Sequence, residues 1–297
     1  MDSFSGVWPA LVTPFDAEGH VNTGAARRLV DALLDAGVGG FYVNGTTGEG
    51  LLLSSAERRA MAATVVDQVR GRAPVMVHVG ALSTNQAVEL AAHAGEIGAD
   101  AVAAIPPAFY DVGPEGMSDY YRAIAAASRL PVYIYYLPAR TGVTVTVEVV
   151  RALMDIPQVR GIKFTASDLY LMERILNLEV NGRRLNALSG PDEMFLPFLA
   201  TGVQGAIGTT INIMPRQFTA LYAAFFAGDM ARARAMQGRI NQVLTVLLGT
   251  NNLLAAVKAV LRHQGIACGD PRRPVPPLSP EATERLLDAL TAIGFFA

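Results

Sequence analysis

The chain contains only two lysines, Lys163 and Lys258; the other members of its 24 basic residues are arginines. An arginine stays protonated in a protein, whereas a lysine can lose its proton and become a nucleophile. A site that needs a neutral amine therefore cannot exchange one for the other. Lys163 lies in Val159-Arg160-Gly161-Ile162-Lys163-Phe164-Thr165, near the end of a short apolar run. Among apolar neighbours its pKa should fall. A neutral amine can add to a ketone and form an imine. The plain alternative is a lysine whose ammonium tip reaches solvent. Lys258, in Leu253-Leu254-Ala255-Ala256-Val257-Lys258, has helical surroundings and reads as structural.

Three further groups could act with Lys163. Gly45-Thr46-Thr47-Gly48-Glu49 offers tight backbone turns, exposed N–H groups and two hydroxyls, which together suit a carboxylate. It lacks the lysine of a phosphate loop, so a nucleotide is not expected. The alternative is an ordinary polar turn. Tyr133, Tyr135 and Tyr136 share a β-branched, aromatic run, and alternation sets Tyr133 and Tyr135 on one face and Tyr136 on the other. A hydroxyl at Tyr135 could relay a proton if its strand neighbours that of Lys163. Gly190-Pro191-Asp192-Glu193 and Gly208-Thr209-Thr210 form polar turns whose acids could accept hydrogen bonds from a polyhydroxylated substrate; helix capping by Asp192 is the simpler use.

These residues need a scaffold that brings distant turns together. Strands are predicted over 6–14, 40–44, 74–80, 99–105, 131–137, 159–164, 185–189 and 204–209, with helical spacing between them. The first helix should cover 23–36 and stop at Gly37. The second should open on the capping box of Ser54-Ser55-Ala56-Glu57 and stop near Gly71. Others should begin near Ser83, Gly116, Thr146, Asp168, Glu193 and Pro215. Eight strand–helix alternations point to an α/β protein, a (β/α)₈ barrel, whose chemistry sits at the C-terminal ends of the strands. No Gly-x-Gly-x-x-Gly follows the first strand, which disfavours an open doubly wound sheet. Residues 1–228 are read as the barrel. Residues 229–297 are read as helices packed on it (229–249, 251–264 and 280–294, with a proline-rich link at 271–280), one domain overall.

Composition fits this reading. The 297 residues carry a formal net charge of −2, with 51% hydrophobic residues, and mean hydropathy is +0.31. A parallel sheet covered on both faces accounts for such apolarity. No basic surface for nucleic acid is indicated, and no apolar run approaches the roughly 20 residues of a membrane span. The N-terminal residues lack a signal core. A single cysteine, Cys268, precludes an intrachain disulfide and fits a reducing cytoplasm. No His/Cys cluster has metal-ligand spacing, so no metal is expected.

Taken together, Gly45-Thr46-Thr47-Gly48-Glu49, Tyr135 with Pro138, and Gly161-Ile162-Lys163 resemble the dihydrodipicolinate synthase/N-acetylneuraminate lyase family, over nearly the whole chain. The resemblance implies a (β/α)₈ barrel with C-terminal helices, a homotetramer, and a lysine imine with pyruvate needing no metal or other cofactor. It implies Lys163 as the imine-forming residue, Tyr135 as proton relay with Thr46, and Thr46 and Thr47 as the carboxylate site. Lys163 to Tyr170, Gly190 to Glu193 and Ile207 to Thr210 are similar to the N-acetylneuraminate lyase branch. There Thr165, Gly190, Asp192, Glu193 and Thr209 would hold a sugar chain. Three departures stand out. Tyr136 follows the relay tyrosine where Asn or Ser is frequent. Arg140 looks like the synthase arginine for a second carboxylate. Phe109 stands where the family has a tyrosine that completes the relay from another subunit, with Tyr110 beside it. The reading is a 2-oxo sugar acid aldolase. A dihydrodipicolinate synthase, a 2-keto-3-deoxy sugar acid aldolase and a non-catalytic 2-oxo acid binding protein are the alternatives.

Overall fold

The computed structural model describes residues 4–296. Eight short strands alternate with helices: β1 (Gly6–Pro9), β2 (Phe41–Val43), β3 (Val75–His78), β4 (Ala101–Ala104), β5 (Val132–Tyr136), β6 (Val159–Phe164), β7 (Asn186–Ser189) and β8 (Gly205–Gly208). All pair in parallel, in the order β1-β8-β7-β6-β5-β4-β3-β2. Ala10 bridges Tyr42, and the Leu11 N–H donates to the Tyr42 carbonyl, so β1 meets β2 and the sheet closes into a barrel.

Around it lie α1 (Thr23–Asp35), α2 (Ser55–Val69), α3 (Thr84–Glu96), α4 (Gly113–Ser128), the single turn α5 (Pro138–Thr141), α6 (Val147–Met154), α7 (Leu169–Leu176), α8 (Phe195–Thr201) and α9 (Pro215–Phe226). Then come α10 (Met230–Leu248), α11 (Leu253–His263) and α12 (Pro280–Ala292). The expected strands and helices are all present, with strands trimmed at their ends where pairing stops. α4 starts three residues before Gly116, because Pro114 suits the first helical turn. The turn at α5 is too short to leave a periodic signal in the sequence.

Local chemistry explains the helix ends. The Ser54 N–H donates to Glu57 Oε2 while the Glu57 N–H donates to Ser54 Oγ, completing the expected capping box of α2. Asn22, Asp229, Asn252 and Ser279 cap α1, α10, α11 and α12 through side-chain oxygens.

Two apolar layers result. The larger lies between strands and helices and takes in residues of α10, α11 and α12 such as Ile240, Val257 and Leu286. The smaller fills the barrel: Trp8, Tyr42, Met76, Ala103, Tyr133, Tyr135, Leu188 and Ile207. Inside it, the Tyr133 ring crosses Gly161, where an added Cβ would fall 2.0 Å from the ring. Its hydroxyl donates to Asn186 Oδ1 at 2.7 Å. No single helix among the described residues is long and apolar enough to cross a membrane.

Candidate active site

The register of β5 against β6 sets Tyr135 directly beside Lys163. Both point inward, and both are about 3% exposed. Tyr136 faces the helical layer instead and packs on Phe164 with ring centroids 5.0 Å apart. The period of two in a strand dictates this split.

Lys163 is held in an aromatic corner. Its Nζ lies 4.1 Å from the ring centroid of Tyr42 and 4.2 Å from that of Tyr135. Burial lowers its pKa from 10.5 to about 7, against the opposing field of Asp192. A large fraction of the amine is therefore neutral near neutral pH. Burial raises the pKa of Tyr135, while the Thr46 hydroxyl, 3.2 Å from its phenolic oxygen, works in the opposite direction.

The loop after β2 brings its two threonines to the same mouth. Thr46 bonds Tyr135, and Thr47 Oγ1 lies 2.7 Å from Thr209 Oγ1 at the end of β8. The loop is anchored from behind. Glu49 adopts a left-handed conformation with φ 57°. Its Oε1 lies 2.6 Å from Lys258 Nζ on α11, with both side chains fully buried. The other oxygen, Oε2, accepts the Arg272 N–H at 2.6 Å. Lys258 also donates to the Asp270 carbonyl and sits over the Phe15 ring. Burial lowers the Lys258 pKa, and Glu49 counters that.

Asp192 is buried beside the mouth. Its Oδ2 accepts the Thr210 N–H at 2.7 Å and the Thr210 hydroxyl at 2.8 Å. Oδ1 has no hydrogen-bond partner among the described residues, and only a glycine at 208 leaves room for it. Burial raises the Asp192 pKa to about 6; the Thr210 bonds oppose this and Glu193 adds to it. Thr165 Oγ1 is likewise buried, beside Tyr135, and only a glycine at 190 leaves room for it. An unpaired polar atom such as Asp192 Oδ1 is uncommon and suits a polar ligand.

The mouth opens into a cleft of about 670 Å³. Eight of the ten residues singled out in the sequence line it: Lys163, Tyr135, Thr46, Thr47, Thr165, Gly190, Thr209 and Arg140. Asp192 and Glu193 are not among its lining residues. The Glu193 side chain is exposed, because the 3₁₀ turn at 192–194 buries the first acid and turns the second to solvent. Sequence reasoning missed Tyr42, which sits across the barrel from Lys163. It also missed the outer wall of the cleft, built by Thr250–Leu254 and Val275–Leu278. A turn signal at Thr250-Asn251-Asn252 was visible, but nothing local tied it to the barrel mouth. Phe109 and Tyr110 stand exposed outside this cleft, their rings 5.0 Å apart.

A closed (β/α)₈ barrel with a buried, near-neutral lysine amine at its C-terminal mouth is the arrangement of an aldolase-type lyase. Comparison with known proteins agrees. The Dihydrodipicolinate synthetase family profile matches residues 3–293. The chain is 36% identical over 275 residues to an N-acetylneuraminate lyase of Citrobacter koseri, covering 91% of each chain. It superposes on the Proteus mirabilis N-acetylneuraminate lyase with TM-score 0.93 and 31% identity, covering 99% of this chain and 100% of that one. A dihydrodipicolinate synthase from Bacillus anthracis superposes with TM-score 0.92 and 30% identity, covering 98% and 99%. The chain belongs to the dihydrodipicolinate synthetase family, and it is a lyase of the aldolase type.

Proposed function

We propose that this aldolase cleaves a 2-oxo sugar acid, with N-acetylneuraminate as the first candidate, into pyruvate and a sugar aldehyde through an imine on Lys163. The observation that carries this is the buried Lys163 amine, with a pKa of about 7, in register with Tyr135, whose hydroxyl is bonded to Thr46. The names of the relatives support the substrate class.

The neutral amine adds to the C2 ketone, and the ketone oxygen leaves as water, which yields a protonated imine. Loss of the proton from the C4 hydroxyl then breaks C3–C4, frees the aldehyde and sends the electron pair to the imine nitrogen. The resulting enamine takes a proton at C3, and water hydrolyses the imine to pyruvate and free Lys163. Tyr135 and Thr46 relay protons, and Thr46 with Thr47 hold the carboxylate. Thr165, Gly190 and Thr209, which line the cleft, receive the hydroxylated chain, with the buried Asp192 behind them. Glu193 enters this reading only through its field on Asp192. No metal or cofactor takes part in these steps. A homotetramer in the cytoplasm completes the proposal, with the exposed Phe109–Tyr110 pair offered to a neighbouring copy.

Borohydride reduction in the presence of pyruvate should leave a reduced pyruvate adduct on Lys163, detected by peptide mass. An unmodified Lys163, or an equal adduct in Lys163→Ala, refutes the reading. Tyr135→Phe should lower turnover about 10²–10⁴-fold yet still trap the adduct. Arg140 favours a second reading: its exposed guanidinium lines the cleft with no ion-pair partner among the described residues, which suits an aldehyde half bearing a carboxylate. Parallel assays with N-acetylneuraminate, 2-keto-3-deoxygluconate, and aspartate semialdehyde plus pyruvate separate the two. Turnover confined to the semialdehyde would replace the first reading with the second.

A further inference from the structure

We infer that Tyr42 is a further catalytic residue, whose aromatic face stabilises the cationic imine formed on Lys163. The inference rests on the imine reading above. β2 and β6 occupy opposite sides of the eight-stranded ring, so the Tyr42 side chain reaches Lys163 across the barrel interior. The amine lies 4.1 Å from the Tyr42 ring centroid, within the range of a cation–π contact. Tyr135 supplies the second wall, its ring at 80° to that of Tyr42 with centroids 5.8 Å apart.

The ring of Tyr42, not its hydroxyl, makes this contact. The hydroxyl is buried and has no hydrogen-bond partner among the described residues. Burial also holds its pKa well above the usual tyrosine value, so the phenol stays neutral. Close packing fixes the ring: a Cβ at Gly45 would fall 2.4 Å from Tyr42 Cε1.

The chemistry needs such a face. Addition of the neutral amine to a ketone, followed by loss of water and uptake of a proton, creates a positive charge in a site shielded from solvent. Lys163 has no ion-pair partner within 4.0 Å among the described residues. Asp192 contributes only its field, with Oδ2 engaged by Thr210. The imine nitrogen is the former Nζ, so it stays against the same rings. A cation–π contact strengthens when water is excluded. Starting from the neutral amine, the stabilisation falls on the cationic imine alone and draws the equilibrium toward it.

The test replaces Tyr42 in the full-length chain with phenylalanine and then with mono-, di- and pentafluorophenylalanine. Successive fluorination weakens the negative face at nearly constant shape. Borohydride-trapped pyruvate adduct is measured against pyruvate concentration at about pH 8.5, where an amine with a lowered pKa is neutral. Tyr42→Phe is the reference point of the series, and from it to pentafluorophenylalanine the half-saturating pyruvate concentration should rise stepwise by about tenfold. The pH midpoint of trapping should fall along the series, because the ammonium loses the same contact as the imine. The other titratable groups acting on this corner (Asp192 after β7, His78 on β3 and Tyr135 on β5 toward Lys163, and Arg140 on α5 toward Tyr135) are unchanged throughout. Melting temperatures check that each variant is folded. A flat series with normal trapping in the unsubstituted protein overturns the role of Tyr42 alone. Absence of any adduct in the unsubstituted protein overturns the imine reading and this inference with it.

Discussion

In the proposed imine mechanism, Lys163 owes its reactivity to the environment that weakens it as a cation. Its amine must be neutral to attack, and its pKa lies at about 7. Imine trapping with pyruvate should therefore rise about tenfold per pH unit below 7 and level off above it. A trapping rate still climbing at pH 9 would show that the lysine keeps an ordinary pKa. The same burial carries a stability cost. A folded-state pKa depressed below the unfolded 10.5 penalises folding fully below about pH 7, and the penalty fades as pH rises toward 10.5. Each pH unit of depression corresponds to about 1.4 kcal/mol. Lys163→Met should thus abolish catalysis yet raise the melting temperature by several degrees at pH 7, with a smaller gain at pH 10. Scanning calorimetry at the two pH values checks this.

At the scale of elements, the Glu49–Lys258 pair joins the Thr46-Thr47 loop to α11. The segment preceding α11 forms the outer wall of the cleft, so the pair ties two sides of the site together. Removing one partner leaves the other charge buried and uncompensated. Lys258→Met should destabilise the protein by about 3–5 kcal/mol, and the double variant Lys258→Met with Glu49→Gln should recover part of that loss. Urea denaturation reads both. In the barrel interior, Gly161 gives way to the Tyr133 ring. Gly161→Ala should cost about 1–3 kcal/mol through overpacking, and an unchanged urea midpoint would refute the account.

At the scale of the molecule, the barrel and the last three helices share one apolar layer: Val203 and Ala206 from the barrel side belong to the same cluster as Leu247, Val260 and Leu290. Two parts joined through a common core should melt together. Calorimetry is expected to give a single cooperative transition, and two resolved transitions would mean that residues 229–297 form an independent unit.

The alternation of eight apolar runs with helical stretches is readable from residue types alone, because strand and helix periods depend on neighbours two to four positions apart. The same local logic turns Tyr135 and Lys163 to one face once their strands are neighbours, and the capping box at Ser54 is equally legible. The scarcity of lysine narrows the candidates to Lys163 and Lys258, and their neighbouring residues choose Lys163. Only the tertiary structure decides which residues meet across the closed barrel. Tyr42 is an ordinary strand residue in the sequence; closure sets it 4.1 Å from the lysine amine. Lys258 and Glu49 are separated by most of the chain, and their pairing depends on how α11 docks. Glu193 looks equivalent to Asp192 in the sequence, yet one short turn buries the first acid and exposes the second. Sequence pattern reports the face a side chain occupies; only three-dimensional packing determines what stands opposite that face and whether water reaches it.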